Sequence, residues 1–240
     1  MKTKKQIINS LSILTIGIIF ALVGLIINRG QNKNNYFLIV GDKIGNNEYV
    51  DSLKNLNNNE LYYDTTFTSN NLSSTQLLKF VNQNAQKNIN GKMVKINDLI
   101  KNSQYMCLSV GSNDLNEKII LSDNVAEYDM EILYRQIQIT SNNVYNIIYD
   151  IKDTNPKIQI IILGVYFPYI FLDFSDKKDL ETIYENYNNN LKEIANSLNI
   201  NYLDLTILSN EKYYENNSLS LEGNEYLAKK IYSCIIDSKC

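Results

Sequence analysis

The sequence predicts an α/β fold: a three-layer α/β/α sandwich around a parallel, five-stranded sheet, preceded by one N-terminal transmembrane helix. Three observations carry this. Short apolar runs of strand length alternate with longer segments of helical periodicity, the pattern of a parallel sheet covered on both faces. The 240 residues are 44% hydrophobic and 20% charged, enough for one well-packed domain of about 200 residues. An uncharged apolar stretch at the N-terminus stands apart from that alternation.

That stretch comes first in the chain. Lys2, Lys4 and Lys5 precede Leu11 to Ile27, apolar apart from Ser12 and Thr15. At a rise of about 1.5 Å per residue, some 20 such residues cross a hydrocarbon layer. The lysines favour a cytoplasmic N-terminus, although Arg29 and Lys33 temper the bias. The expectation is a signal anchor over 1–28 and a polar linker over 29–35, with 36–240 forming one extracytoplasmic domain at the cell membrane. A cleaved signal peptide is the rival, weakened by the long apolar core and the lack of a small-x-small site.

Within the domain, Tyr36 to Val40 is a continuous apolar run ending at Gly41, as suits a strand buried on both faces. Similar runs follow at Leu61 to Phe67, Tyr105 to Val110, Ile158 to Val165 and Ile200 to Leu205. The longest helical segment spans about Asp123 to Asp153. Its Leu133, Ile137, Thr140, Val144, Ile147, Ile148 and Ile151 repeat at three- and four-residue steps. Asn155-Pro156 stops it. Further helices are expected over Lys178 to Leu198 and Leu221 to Ile236.

Composition excludes several functions. The chain has no histidine, which removes Ser-His-Asp and Cys-His catalysis and imidazole metal sites. A net charge of -3 provides no basic field, so nucleic acid is not an expected partner. No CxxC or Cys/His cluster exists, and neither a metal nor a cofactor is expected. Cys107 sits in an apolar run and reads as core, while Cys234 and Cys240 either bridge or stay free.

In parallel sheets the working residues gather at the carboxyl ends of the strands. Gly41-Asp42-Lys43 follows the first strand and Gly111-Ser112-Asn113-Asp114-Leu115 the third. Gly164-Val165-Tyr166-Phe167-Pro168 follows the fourth, and Glu215 to Gly223 opens the last helix. In that order and at those ends, these segments resemble the SGNH/GDSL hydrolase family, bacterial membrane-anchored GDSL-like lipases and acylhydrolases in particular. The resemblance implies a flavodoxin-like order for the five-stranded sheet, and an esterase or acylhydrolase acting on envelope lipid or glycan esters.

The resemblance also exposes departures. Lys43 stands at the nucleophile position, Ser218 at the histidine position and Glu215 at the aspartate position. The oxyanion glycine after the second strand falls near Asn70 or Asn71. Asn113, the side-chain oxyanion donor by resemblance, and Gly111 beneath it stand where the pattern asks. Without serine and imidazole the family's acyl transfer is not available, and the expectation is a catalytically degenerate domain with a binding or regulatory role.

Alternatives remain at this point. Ser218 as nucleophile with Lys43 as base would make a non-standard hydrolase, whereas a Lys43–Glu215 ion pair would fill the pocket inertly. A non-catalytic structural envelope protein is a third reading. Asp42 and Asp114 read first as loop-bracing carboxylates and second as a glycosidase-like pair. Tyr62-Tyr63, Tyr166, Tyr169 and Tyr213-Tyr214 are candidates to line a carbohydrate groove, or simply to fill core and surface.

Overall fold

The computed structural model describes residues 35–42, 48–122, 125–172, 175, 177–215, 218–237 and 240. The expected membrane span at 1–28, linker residues 29–34 and Lys43 lie outside these. Among the described residues no helix is long and apolar enough to cross a membrane.

Five strands form one sheet: β1 (Tyr36–Asp42), β2 (Tyr62–Ser69), β3 (Ser103–Ser109), β4 (Gln159–Leu163) and β5 (Asn201–Leu203). Every neighbouring pair is parallel, in the order β2-β1-β3-β4-β5. This is the doubly wound, flavodoxin-like arrangement, with its switch point between β1 and β3. Among the described residues seven α-helices connect and cover the strands: α1 (Glu48–Leu56), α2 (Ser74–Asn82), α3 (Ile96–Asn102), α4 (Ser112–Asn116), α5 (Met130–Thr154), α6 (Lys177–Leu198) and α7 (Leu221–Asp237).

Alternation along the strands divides the core in two. Leu38, Val40, Met106, Leu108, Ile160 and Ile162 point to one face, under α2, α3, α5 and α6. Phe37, Ile39, Cys107, Ile161 and Leu163 point to the other, under α1 and α7. Both faces of each central strand are therefore dry, which explains the unbroken apolar runs. All seven residues of the expected α5 stripe are buried.

The structure corrects the start of α5. Residues Ile120–Ser122 and Val125–Glu127 form a small antiparallel ribbon, and the helix begins only after Asp129. The Asp129 carboxylate accepts from the Glu131 and Ile132 backbone N–H groups at 2.8 and 3.2 Å, capping the first turn. A second ribbon, Gln86–Ile89 with Lys92–Lys95, was not anticipated. Its signal was the Asn90-Gly91 pair, both at positive φ as a two-residue hairpin turn requires.

The strands end at their carboxyl edge within hydrogen-bonding reach of one another, Gly41 opposite Ser109 and Asp42 opposite Ser69. A Cβ on Gly41, whose φ is +114°, would lie 1.7 Å from the Ser109 carbonyl oxygen. Only glycine permits β1 and β3 to approach there.

Candidate functional site

The carboxyl edge is organised around two buried carboxyls. Asp42 ends β1 and is 5% exposed. Its Oδ2 accepts from the Ser112 hydroxyl at 2.9 Å and its Oδ1 from the Asn113 side-chain amide at 2.8 Å. Burial pushes Asp42 up from the ordinary 3.8 to about 7. The Ser112 hydrogen bond opposes that rise, the neighbouring Asp114 charge adds to it, and the backbone N–H groups of Asn113 and Ser112 oppose it.

Asp114, one turn into α4, accepts from the Ser74 backbone N–H at 2.8 Å and from the Ser74 hydroxyl at 2.7 Å. It thereby ties the β3–α4 turn to the first turn of α2, which is also closed by a Ser73–Gln76 capping box. The turn itself passes through Gly111 at φ +110°. A Cβ there would fall 2.1 Å from the hydroxyl of buried Tyr187, which donates to the Val110 carbonyl at 2.9 Å.

Asn113, the side-chain oxyanion donor by resemblance, sits among three acceptors. Its amide nitrogen donates to Asp42, to the Asn70 carbonyl at 2.7 Å and, more weakly, to the Leu72 carbonyl at 3.3 Å. All three neighbours are acceptors, so the two N–H protons are taken up in joining the β1, β2 and β3 ends. In this structure the amide braces the three strand ends. Asn71 is exposed in the adjacent turn and lines a different groove, on the α2 side of Ser69.

The hairpin before α7 holds the other two positions. Glu215 is exposed and Ser218 half-buried; they face each other in an antiparallel pair of two-residue strands. A Lys43–Glu215 ion pair and a Lys43–Ser218 dyad both involve a residue outside those described. Cys234 and Cys240 are bridged, and Cys107 is a buried free thiol.

Between the ends of β1, β3 and β4 opens a cavity of about 270 Å³. Its floor includes Asp42, Ser109, Ser112 and Asn116, and its walls Val165, Tyr166, Pro168, Tyr169, Ile170 and Tyr214. The wall loop after β4 is rigidly held. The Asn188 side chain accepts from the Val165 N–H at 2.8 Å and donates to its carbonyl at 2.7 Å, while Phe167 N–H donates to Ser209 at 2.9 Å. Tyr214 packs edge-on to Tyr166 at 5.9 Å and against Tyr169 at 5.2 Å, and burial pushes the Tyr166 hydroxyl up to about 12.

Of the tyrosines proposed to line a groove, Tyr166, Tyr169 and Tyr214 meet here. Tyr62 stacks edge-on with Tyr36 at the amino end of the sheet, and Tyr63 and Tyr213 are buried in the α1/α7 core. Sequence reasoning assigned no role to Ser112 or Asn116. Their one sequence-level signal is a four-residue spacing, which places both on one face of α4.

No family model matches the sequence, and no curated protein matches it significantly. Solved structures do. A lipase from a goat rumen metagenome superposes with a TM-score of 0.61 at 15% identity, covering 82% of this chain and 96% of its own. A family 3 carbohydrate esterase from Clostridium thermocellum matches with a TM-score of 0.56 at 16% identity, covering 84% of this chain and 95% of its own. A GDSL-like lipase from Bacteroides thetaiotaomicron gives 0.54 at 16% identity, covering 86% of this chain and 90% of its own. The sheet order, the layering and these superpositions agree: the domain at 35–240 has the SGNH/GDSL hydrolase fold.

Proposed function

We propose that the chain is a membrane-anchored, extracytoplasmic domain that holds an acyl ester of an envelope lipid or glycan in the tyrosine-walled cavity, without the Ser-His-Asp chemistry of its fold. One observation carries the loss of that chemistry: the chain has no histidine. The surrounding geometry supports it, because the Asn113 amide is engaged by Asp42 and Asn70 and Glu215 is exposed on a hairpin.

Ester ligands are supported by the structural neighbours, two lipases and a carbohydrate esterase. Anchoring is supported by the apolar 11–27 stretch behind three lysines. An oxidising compartment is supported by the Cys234–Cys240 disulfide.

The test is retention of the full-length chain on O-acetylated cell-wall glycan and on lipid vesicles, each against a deacylated control. Acyl-dependent retention weakened about tenfold by Tyr166→Ala is the expected result. Equal retention on acylated and deacylated material, or none with folded protein, removes the ester-binding role and leaves a structural scaffold. Ester hydrolysis that disappears in Ser218→Ala would restore an active site at the histidine position.

A further inference from the structure

The cavity floor carries a nucleophile–base pair that the fold's usual mechanism does not use. The Ser112 hydroxyl donates to Asp42 Oδ2 at 2.9 Å, and the Asn113 amide fixes the opposite oxygen, Oδ1, at 2.8 Å. Ser112 and Asp42 both line the cavity. A serine bonded to a base that a third group orients is the arrangement nucleophilic catalysis needs, and it contains no imidazole.

Asn116 supplies a third component. It lies one helical turn beyond Ser112 on the same face and also lines the cavity. Its Oδ1 accepts from the Tyr184 hydroxyl, so what Asn116 can offer a ligand is its amide N–H. That donor belongs to the oxyanion of a tetrahedral intermediate. At about 270 Å³ the cavity is small among ligand sites, and no lysine or arginine is among its described lining residues. It fits a short acyl group on a neutral alcohol and disfavours long chains and anionic groups.

We propose that Ser112 and Asp42 form a relocated acyl-transfer pair, with Ser112 as nucleophile, Asp42 as general base and Asn116 as oxyanion donor, acting on short O-acyl esters of neutral alcohols such as sugar hydroxyls. This rests on the reading that the cavity takes an ester. In acylation the Ser112 Oγ–carbon bond forms and the ester carbon–oxygen bond breaks. The Ser112 proton passes to Asp42 Oδ2 and on to the departing alcohol. In the second half, water gives a proton to Asp42 while its oxygen attacks the acyl carbon; the Oγ–carbon bond breaks and Ser112 regains a proton. Ester and water yield acid and alcohol.

The base is suited to neutral pH, since burial raises Asp42 to about 7. The ionisable groups that act on Asp42 are Asp114 on α4 and Tyr187 on α6. Lys43, next in sequence, lies outside the described residues. Asp42 must be ionised to accept the serine proton, so the rate should climb about tenfold per pH unit below 7 and level off above it.

The experiment treats the full-length chain with a small alkyl fluorophosphonate and an aryl acetate, locating the label by peptide mapping. Label on Ser112 is expected, lost by at least about 100-fold in Ser112→Ala and slowed about 100-fold in Asp42→Asn. Since Asp42→Asn risks misfolding, Ser112→Cys provides the second arm: its thiol should be alkylated by iodoacetamide with the same rise toward pH 7. Label on Ser218 overturns the proposal. No label on folded protein that still binds acetylated glycan overturns it while leaving the binding function standing; loss of binding as well removes both.

Discussion

The two regions that the sequence resemblance assigns to a single catalytic centre are built in opposite ways. The corner formed by Asp42, Ser112, Asn113 and Asp114 is buried and wired, each carboxyl accepting from two side-chain or backbone donors. The 214–219 hairpin has two-residue strands, an exposed Glu215 and a half-buried Ser218. A carboxyl inside the fold needs donors to offset its desolvation, so removing any one of them is costly. A hairpin facing water has no such debt and can exchange residues freely. The contrast makes the Asp-bearing corner the more constrained of the two regions and the hairpin the more tolerant of substitution.

Four measurements break or sharpen this contrast. The largest effect is expected for Gly41→Ala, where the new methyl would meet the Ser109 carbonyl oxygen at 1.7 Å. Loss of roughly 4 kcal/mol or more in chemical denaturation is the outcome, often seen as failure to fold. If the variant is as stable as the parent, β1 and β3 are not in contact at their ends.

Next comes Asp114→Ala, which strands the buried N–H and hydroxyl of Ser74. A loss of about 2–3 kcal/mol follows from two unpaired buried donors. A change below about 0.5 kcal/mol would make Asp114 as dispensable as a surface carboxylate and erase the difference between the regions.

The third is a pH dependence. Asp42 holds its proton up to about 7 in the folded chain and only to 3.8 when unfolded. Its contribution to stability is therefore complete below 3.8 and is lost as pH rises toward 7. Between pH 5 and 7 this amounts to roughly 2 kcal/mol, read as a falling urea midpoint that flattens in Asp42→Asn. A midpoint that rises over this interval would place Asp42 in a well-solvated or cation-paired setting.

The smallest effect is expected for Glu215→Ala, within about 0.5 kcal/mol of the parent. A larger loss would show that the hairpin is wired too.

Most of the fold was legible because its determinants are periodic. A strand dry on both faces gives a solid apolar run, as at Phe37 to Val40, and a one-faced helix gives the Leu133-to-Ile151 stripe. The start of α5 was misplaced because the apolar spacing says nothing of where Asp129 caps the helix. The site was legible only in part. Asp42 and Asp114 stood out as carboxylates at strand ends, but the partners that define them lie far away in sequence: Ser74 is 40 residues from Asp114 and Ser112 is 70 from Asp42. Asn113 illustrates the limit most clearly, since its motif position says nothing of its contacts with Asn70 and Leu72, more than 40 residues away. In a five-residue helix such as α4, Ser112 and Asn116 complete too few turns to display a pattern.

Cys107 has a consequence for biosynthesis. Three cysteines admit three possible pairings, yet one is realised, Cys234 with Cys240, while the third thiol is enclosed at the centre of the sheet. Burial raises its pKa far above the ordinary range, so it offers almost no thiolate to attack a disulfide. Only a chain whose sheet has not yet closed can mispair. The middle strand thus acts as a chaperone for cysteine chemistry elsewhere in the molecule, and the interval before sheet closure is when a wrong pairing can form.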